Sequence, residues 1–168
     1  MKSHPSRGIL KKKANSAVWH KLAKQINVEC EQLRHLIEIH SRLLTNCVSQ
    51  PPNEIELSAL AAFLHSFYTG LENIFKRVAV ELDGEAPSGE AWHRQLLDAM
   101  AAPTNLRGAL ISESLRNTLS EYLAFRHVFR QAYSFDLRWE KMSALVLNCE
   151  ATFQRLETEL EAFLRTAP

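Results

Sequence analysis

Residues 53–78 read NEIELSALAAFLHSFYTGLENIFKRV. Leu57, Leu60, Leu64, Phe67, Leu71, Ile74 and Val78 recur at gaps of three and four, a spacing that places all seven on one face of an α-helix. Asn53 precedes the run, and Glu56 stands three residues further on. This is the pattern of a capping box, in which each side chain accepts from the other residue's backbone N–H. The spacing therefore predicts a helix opened by Asn53. Gly70 inside it weakens the helix slightly and marks a place where a neighbour can approach.

The same period extends in both directions. Upstream, from about Asn15 to Val48, it is carried by Trp19, Leu22, Ile26, Cys30, Leu33, Ile37 and Leu44, and the run stops before Pro51 and Pro52. Downstream, residues 83–89 (DGEAPSG) have loop composition. A short helix is expected over about 90–101, with Trp92, Leu96, Leu97 and Met100 on its apolar side and Pro103 beyond it. Residues 104–111 look irregular, with Gly108 as a hinge or turn. Ser112 and Glu113 carry the cap and first-turn charge of another helix, running to about 132–133. After 134–136 a last helical run follows through Met142, Leu145, Cys149, Phe153, Leu156, Leu160 and Leu164. No strand-like alternation, internal repeat or low-complexity tract is present. The expected architecture is all-α: an up-and-down bundle of four long helices plus a short one, forming one domain over 15–166.

Composition agrees. The 168 residues are 46% hydrophobic and 23% charged, as in an ordinary globule of one domain's size. No apolar run approaches the length of a membrane span, and no secretory leader pattern follows Met1. Cys30, Cys47 and Cys149 are odd in number and widely spaced. That argues against a disulfide framework or a thiolate metal site and fits the cytoplasm. Five of the 20 basic residues, and none of the 19 acidic ones, fall in 1–13, leaving the rest of the chain at about −4. Residues 1–14 are expected to be a disordered basic leader; such an arm could also touch a phosphate backbone.

Motifs for nucleotide binding, for a serine nucleophile elbow and for a zinc protease are absent, and no two histidines stand four apart. No metal or cofactor is expected. The informative segment is 115–136, LRNTLSEYLAFRHVFRQAYSFD. On a helical wheel Leu115, Leu119, Tyr122, Phe129 and Tyr133 share one arc, and Arg126 lies in the middle of it. A charge on a core-facing stripe needs a carboxylate, an anionic ligand or a cleft. The plain alternative is a buried bridge, with Glu72 the candidate acid. Tyr68, Glu72 and Phe75 share a face of the second helix, either as core around a buried acid or as support for Arg126. Trp92 is expected to pack rather than to stack on a base.

Around Arg126 the chain gathers Tyr122, His127, Arg130, Gln131 and Tyr133. Guanidinium groups fork onto phosphate, and histidine exchanges protons near neutral pH. Cleaving RNA without a metal needs such groups. The 2′-OH loses a proton, the crowded phosphorus is stabilised by cations, and the leaving oxygen gains a proton.

The run from Arg126 to Tyr133 (RHVFRQAY) resembles the R-x4-H-x-Y motif of HEPN-domain proteins of the HepT type. The phrases 67–77 (FYTGLENIFKR), 88–93 (SGEAWH) and 121–127 (EYLAFRH) are similar to the same HepT-like ribonuclease toxins, in the same order. The resemblance spans about 15–165. It implies a HEPN helical bundle that forms a homodimer, with the motifs of both subunits facing one cleft, and that cleaves RNA without metal. It implies a minimal nucleotidyltransferase antitoxin as partner. By the same resemblance Arg126 holds or polarises the scissile phosphate, His127 supports the site, and Tyr133 is the motif tyrosine that some antitoxins modify with adenylate.

Gln131 stands where the family histidine belongs. A glutamine amide hydrogen-bonds but does not exchange protons near neutral pH, and general acid–base catalysis is typically worth about 10²–10⁴-fold. The chain is therefore expected to be a weak or inactive ribonuclease unless His127 substitutes. Residues five apart sit about 140° from each other on a helix. Arg126 and Gln131 thus meet only if the helix bends or ends early, or if they meet across a dimer. Two other readings stand beside the toxin: a catalytically dead helical dimer that binds RNA or a partner, and a structural adaptor.

Overall fold

Asn53 opens the central helix in the expected way. Its side chain accepts from the Glu56 N–H at 2.9 Å, and the Glu56 carboxylate accepts from the Asn53 N–H at 2.9 Å. The computed structural model describes residues 7–133 and 136–168, with side chains from Asn15 onward. Residues 1–6 of the expected leader, and Ser134 and Phe135 of the expected 134–136 break, lie outside the described residues. The described part is built of α1 (Arg7–Asn46), α2 (Glu54–Val78), α3 (Trp92–Ala101), α4 (Glu113–Gln131), α5 (Trp139–Leu147) and α6 (Cys149–Leu164). No strand occurs among the described residues. The described residues form an all-α bundle.

The start of the first helix and the continuity of the last differ most from the sequence expectation. α1 begins at Arg7 rather than near Asn15. Residues 9–14 (ILKKKA) are helix-compatible and hold no breaker, so the helix propagates back to Gly8 and Arg7. The last helix is interrupted at Asn148, whose backbone (φ −99°, ψ 2°) leaves the helical region. Its side-chain amide donates to the Ala144 carbonyl at 2.7 Å. The interruption takes one residue and leaves the apolar seam in phase. Leu145, Cys149, Phe153, Leu156 and Leu160 are all buried, so α5 and α6 act as one kinked long helix.

α2 supplies the centre of the core. Leu60, Leu64, Phe67, Leu71, Ile74 and Val78 are fully buried. Phe67 meets Tyr122 of α4 at 5.5 Å and Phe153 of α6 at 6.2 Å between ring centroids. α1 lies along the other side of α2 and closes on α6 through Trp19 and Phe163, 5.2 Å apart. Gly70 is the point of close approach. A Cβ there would stand 2.5 Å from Leu33 Cδ2 and 2.9 Å from its Cγ.

After α2 the chain winds through a wider π turn, Ala79–Asp83, and leaves it at Gly84 with φ 93°. Gly89 is also left-handed, at φ 94°, and the two glycines fold the chain back so that α3 starts beside α2. The irregular stretch before α4 is pinned by Arg107, whose side chain is fully enclosed. Its guanidinium donates to Asp83 at 2.7 Å and to the carbonyls of Ala99, Ala102 and Gly108.

Candidate functional site

Three helices converge on Arg126. From α2 come His65, Tyr68 and Glu72, spaced three and four apart and so on one face. From α3 come Trp92 and His93. From α4 come Arg126 and His127. Tight packing of α2 against α4 leaves the Arg126 side chain 11% exposed and that of Glu72 3% exposed.

The charges meet in a chain. Glu72 Oε1 lies 2.5 Å from His93 Nδ1. Glu72 Oε2 lies 3.8 Å from Arg126 Nη2. Arg126 Nη1 lies 3.2 Å from His93 Nε2. The proton positions follow from chemistry. A guanidinium is donor-only, so Arg126 donates and His93 Nε2 accepts through its lone pair. Nδ1 then carries the proton and donates to the Glu72 carboxylate. His93 is thus neutral and held in one tautomer. Its pKa is lowered from the ordinary histidine value, first by burial; Glu72 opposes that shift and Arg126 and His127 add to it.

The His93 ring is fixed on its other sides as well. Trp92 stacks on it at 3.6 Å between centroids, and Lys76 Nζ sits 4.2 Å over the Trp92 ring. His127 packs its ring edgewise against His93 at 5.7 Å and 86°. His65 packs against Phe129 with the rings tilted at 41° and 5.3 Å between centroids, and its pKa is lowered by burial, Arg126 and Arg130. Burial and Glu72 push the Tyr68 phenol well above its usual range. His65 Nδ1, Tyr68 Oη and Arg126 Nε are buried with no hydrogen-bond partner among the described residues.

The Arg126–Glu72 bridge, the plain alternative to an anionic ligand or a cleft, is present, and His93 joins it. His93 went unremarked as a site residue because nothing in its local spacing marks it. Its place in the phrase 88–93 is its signal in the sequence, and Trp92, expected to pack, does pack, half-buried, on His93. Tyr68 lies beside Glu72 as expected. Tyr122 belongs elsewhere, because its hydroxyl donates to the Leu145 carbonyl at 2.8 Å and ties α4 to the kink between α5 and α6. His127, Arg130 and Gln131 are exposed along the last turns of α4. Tyr133 lies beyond the end of α4 and is 71% exposed, so it does not share the buried arc of Leu115, Leu119 and Tyr122. α4 stays helical through Gln131. An early end or bend is therefore not what joins Arg126 to Gln131, and within the chain the buried Arg126 and the exposed Gln131 lie on different sides of α4.

Among the described residues no group of three or more His, Cys, Asp or Glu side chains could hold a metal ion, and no described helix is long and apolar enough to cross a membrane. No curated protein and no solved structure matches the chain. A sequence model of the family described as HepT-like protein does match, over residues 59–167. That span runs from the second turn of α2 to the residue before the last and takes in every residue that converges on Arg126. The chain belongs to the HepT-like protein family.

Proposed function

We propose that this chain is the toxin half of a toxin–antitoxin pair, a cytoplasmic homodimer with the scaffold of a metal-independent endoribonuclease, weakened or inactivated by Gln131 at the motif histidine position, and that its partner is a minimal nucleotidyltransferase. The observation that carries this reading is Arg126. Its guanidinium is held by Glu72 and His93, and its side chain keeps 11% of its surface exposed. A cation pre-set in a low-dielectric wall stabilises charge developing on a phosphorus with little reorganisation.

The end of α4 supports the rest of the reading. Arg130 adds a second cation for the backbone of RNA, and Val128 and Tyr133 expose apolar surface, at 59% and 71%, next to it. A second copy seated there would bring two Arg126 edges to one groove and would let Gln131 of one protomer approach Arg126 of the other. Tyr133 lies past the end of α4 and is the residue that the antitoxin would modify. Proton transfer through position 131 is lost in this chain, so the motif alone leaves a weak or silent nuclease. Gln131 is also the specific observation that favours a second reading, a dimer that grips RNA without cutting it.

Binding and assembly test the reading together. The wild type is expected to sediment as a dimer and to bind single-stranded RNA with an affinity that falls steeply with salt. Arg126→Ala is expected to weaken that binding about tenfold or more, a loss of about 1.4 kcal/mol. A monomer whose RNA affinity ignores both salt and Arg126 would refute the reading and leave a structural adaptor.

A further inference from the structure

Position 131 offers no proton, yet two imidazoles flank Arg126. We propose that His93 and His127 perform the two proton transfers of RNA cleavage at this site, so that the acid–base pair comes from α3 and α4 and not from position 131. This rests on the ribonuclease reading above and identifies its chemistry.

The arrangement around His93 is that of an oriented general base. Glu72 accepts from Nδ1 and leaves the Nε2 lone pair as the reactive atom. The same carboxylate stabilises the imidazolium once Nε2 takes a proton. Trp92 covers one ring face, so the ring cannot turn away. In the resting protein the lone pair is occupied by Arg126 Nη1 at 3.2 Å. A bound phosphate that accepts from Nη1 in place of Nε2 frees that lone pair, while Nη2 stays beside Glu72. The charged groups facing His93 are Glu72 from α2 and Arg126 and His127 from α4.

His127 fits the complementary role. It follows Arg126 directly in the chain, is open to solvent, and has its ring 5.7 Å from that of His93. An in-line displacement places the attacking and leaving oxygens on opposite sides of phosphorus. Two proton carriers a few ångströms apart, with a cation bonded to one and adjacent in sequence to the other, span one phosphodiester. The step balances as follows. His93 Nε2 removes the 2′-OH proton, O2′ bonds to phosphorus, the P–O5′ bond breaks, and the His127 imidazolium protonates O5′. The products are a 2′,3′-cyclic phosphate and a 5′-hydroxyl. His93 has gained one proton and His127 has lost one, and exchange with water restores both.

The test uses the full chain in EDTA on a short single-stranded RNA of mixed sequence. A second substrate carries sulfur in place of O5′ at the linkage the wild type cuts. A thiolate leaves without a proton, so the sulfur substrate needs no acid. Cleavage by the wild type is expected, and His93→Gln and His127→Gln are each expected to lower it at least about 100-fold. The sulfur substrate is expected to restore His127→Gln to near the wild-type rate and to leave His93→Gln slow. His127 is exposed, so its variant keeps the fold, and its rescue stands as a test even where His93→Gln melts early. Wild-type cleavage that survives either substitution, or a His127→Gln defect that sulfur does not repair, would overturn the proposal and leave the ribonuclease reading intact. A silent wild type that Gln131→His awakens would do the same. Silence in both the wild type and Gln131→His would bring down the ribonuclease reading and the proposal together.

Discussion

Glu72 and His93, 21 residues apart and on different helices, share a buried hydrogen bond 2.5 Å long, and Arg126 lies against both. Burying charges costs several kcal/mol per ion, which the mutual attraction repays only if the partners stay in place. The cluster is therefore fragile to single changes. Glu72→Ala strands the guanidinium in the wall and is expected to lower stability by about 3 kcal/mol in urea melts. Arg126→Ala is expected to cost somewhat less, about 2 kcal/mol, because its vacated edge opens to water. Substitutions that leave the urea midpoint unchanged would show that the three groups are not coupled.

The buried histidines set a pH dependence. His65 and His93 both have lowered pKa values, with burial the first cause for each. The folded state thus prefers neutral rings. As pH falls through the ordinary histidine value of 6.5 the unfolded chain takes up protons before the folded chain does. Stability present above that value is lost below it. Tm is expected to fall between about pH 7.5 and about pH 5, and to fall less in His65→Phe, which keeps the packing on Phe129 and removes the titrating nitrogen. A pH slope identical in the two proteins would contradict this.

Gly70 and Leu33 set two effects against each other. Alanine in mid-helix is worth about 1 kcal/mol over glycine. Here its Cβ would collide with the buried Leu33 side chain, and overpacking costs about 1–3 kcal/mol. Gly70→Ala is expected to destabilise the wild type by about 1 kcal/mol and to stabilise a Leu33→Ala background by a similar amount. A change of the same sign in both backgrounds would place the contact elsewhere.

Arg107 is the second buried cation. Arg107→Met keeps the stem but leaves Asp83 and three carbonyls without their donor. The expected loss is about 3–4 kcal/mol by chemical denaturation. Asp83→Asn, which leaves the carbonyl contacts in place, is expected to cost less than half of that. Equal losses would mean that the ion pair alone matters.

The helices were legible because their information is local. The seams of α1, α2 and the final pair, the Asn53 box and the Ser112 cap lie within a few residues of the features they create, and Ser112 does accept from Leu115 N–H at 3.1 Å. What went unread depends on distant partners or on details that leave the period unchanged. The Asn148 kink costs one residue and keeps the seam in phase. Arg107 finds its acid 24 residues away across the loop. His93 reaches the site because Gly84 and Gly89 turn α3 back against α2, and no spacing near residue 93 records that. Glu72 was legible as the partner of Arg126 because each is a lone charge on an apolar face, and two such charges in one core have few choices.

Cleavage of RNA at Arg126 is the centre of the account, and product-end mapping in EDTA examines it most directly. A labelled single-stranded RNA incubated with the wild type is expected to yield fragments ending in 2′,3′-cyclic phosphate and beginning with 5′-hydroxyl. Arg126→Lys, which keeps the charge but loses the fork, is expected to slow the reaction at least about 100-fold. Intact RNA after prolonged incubation with folded, RNA-binding wild type, or cleavage indifferent to the change at Arg126, would contradict it.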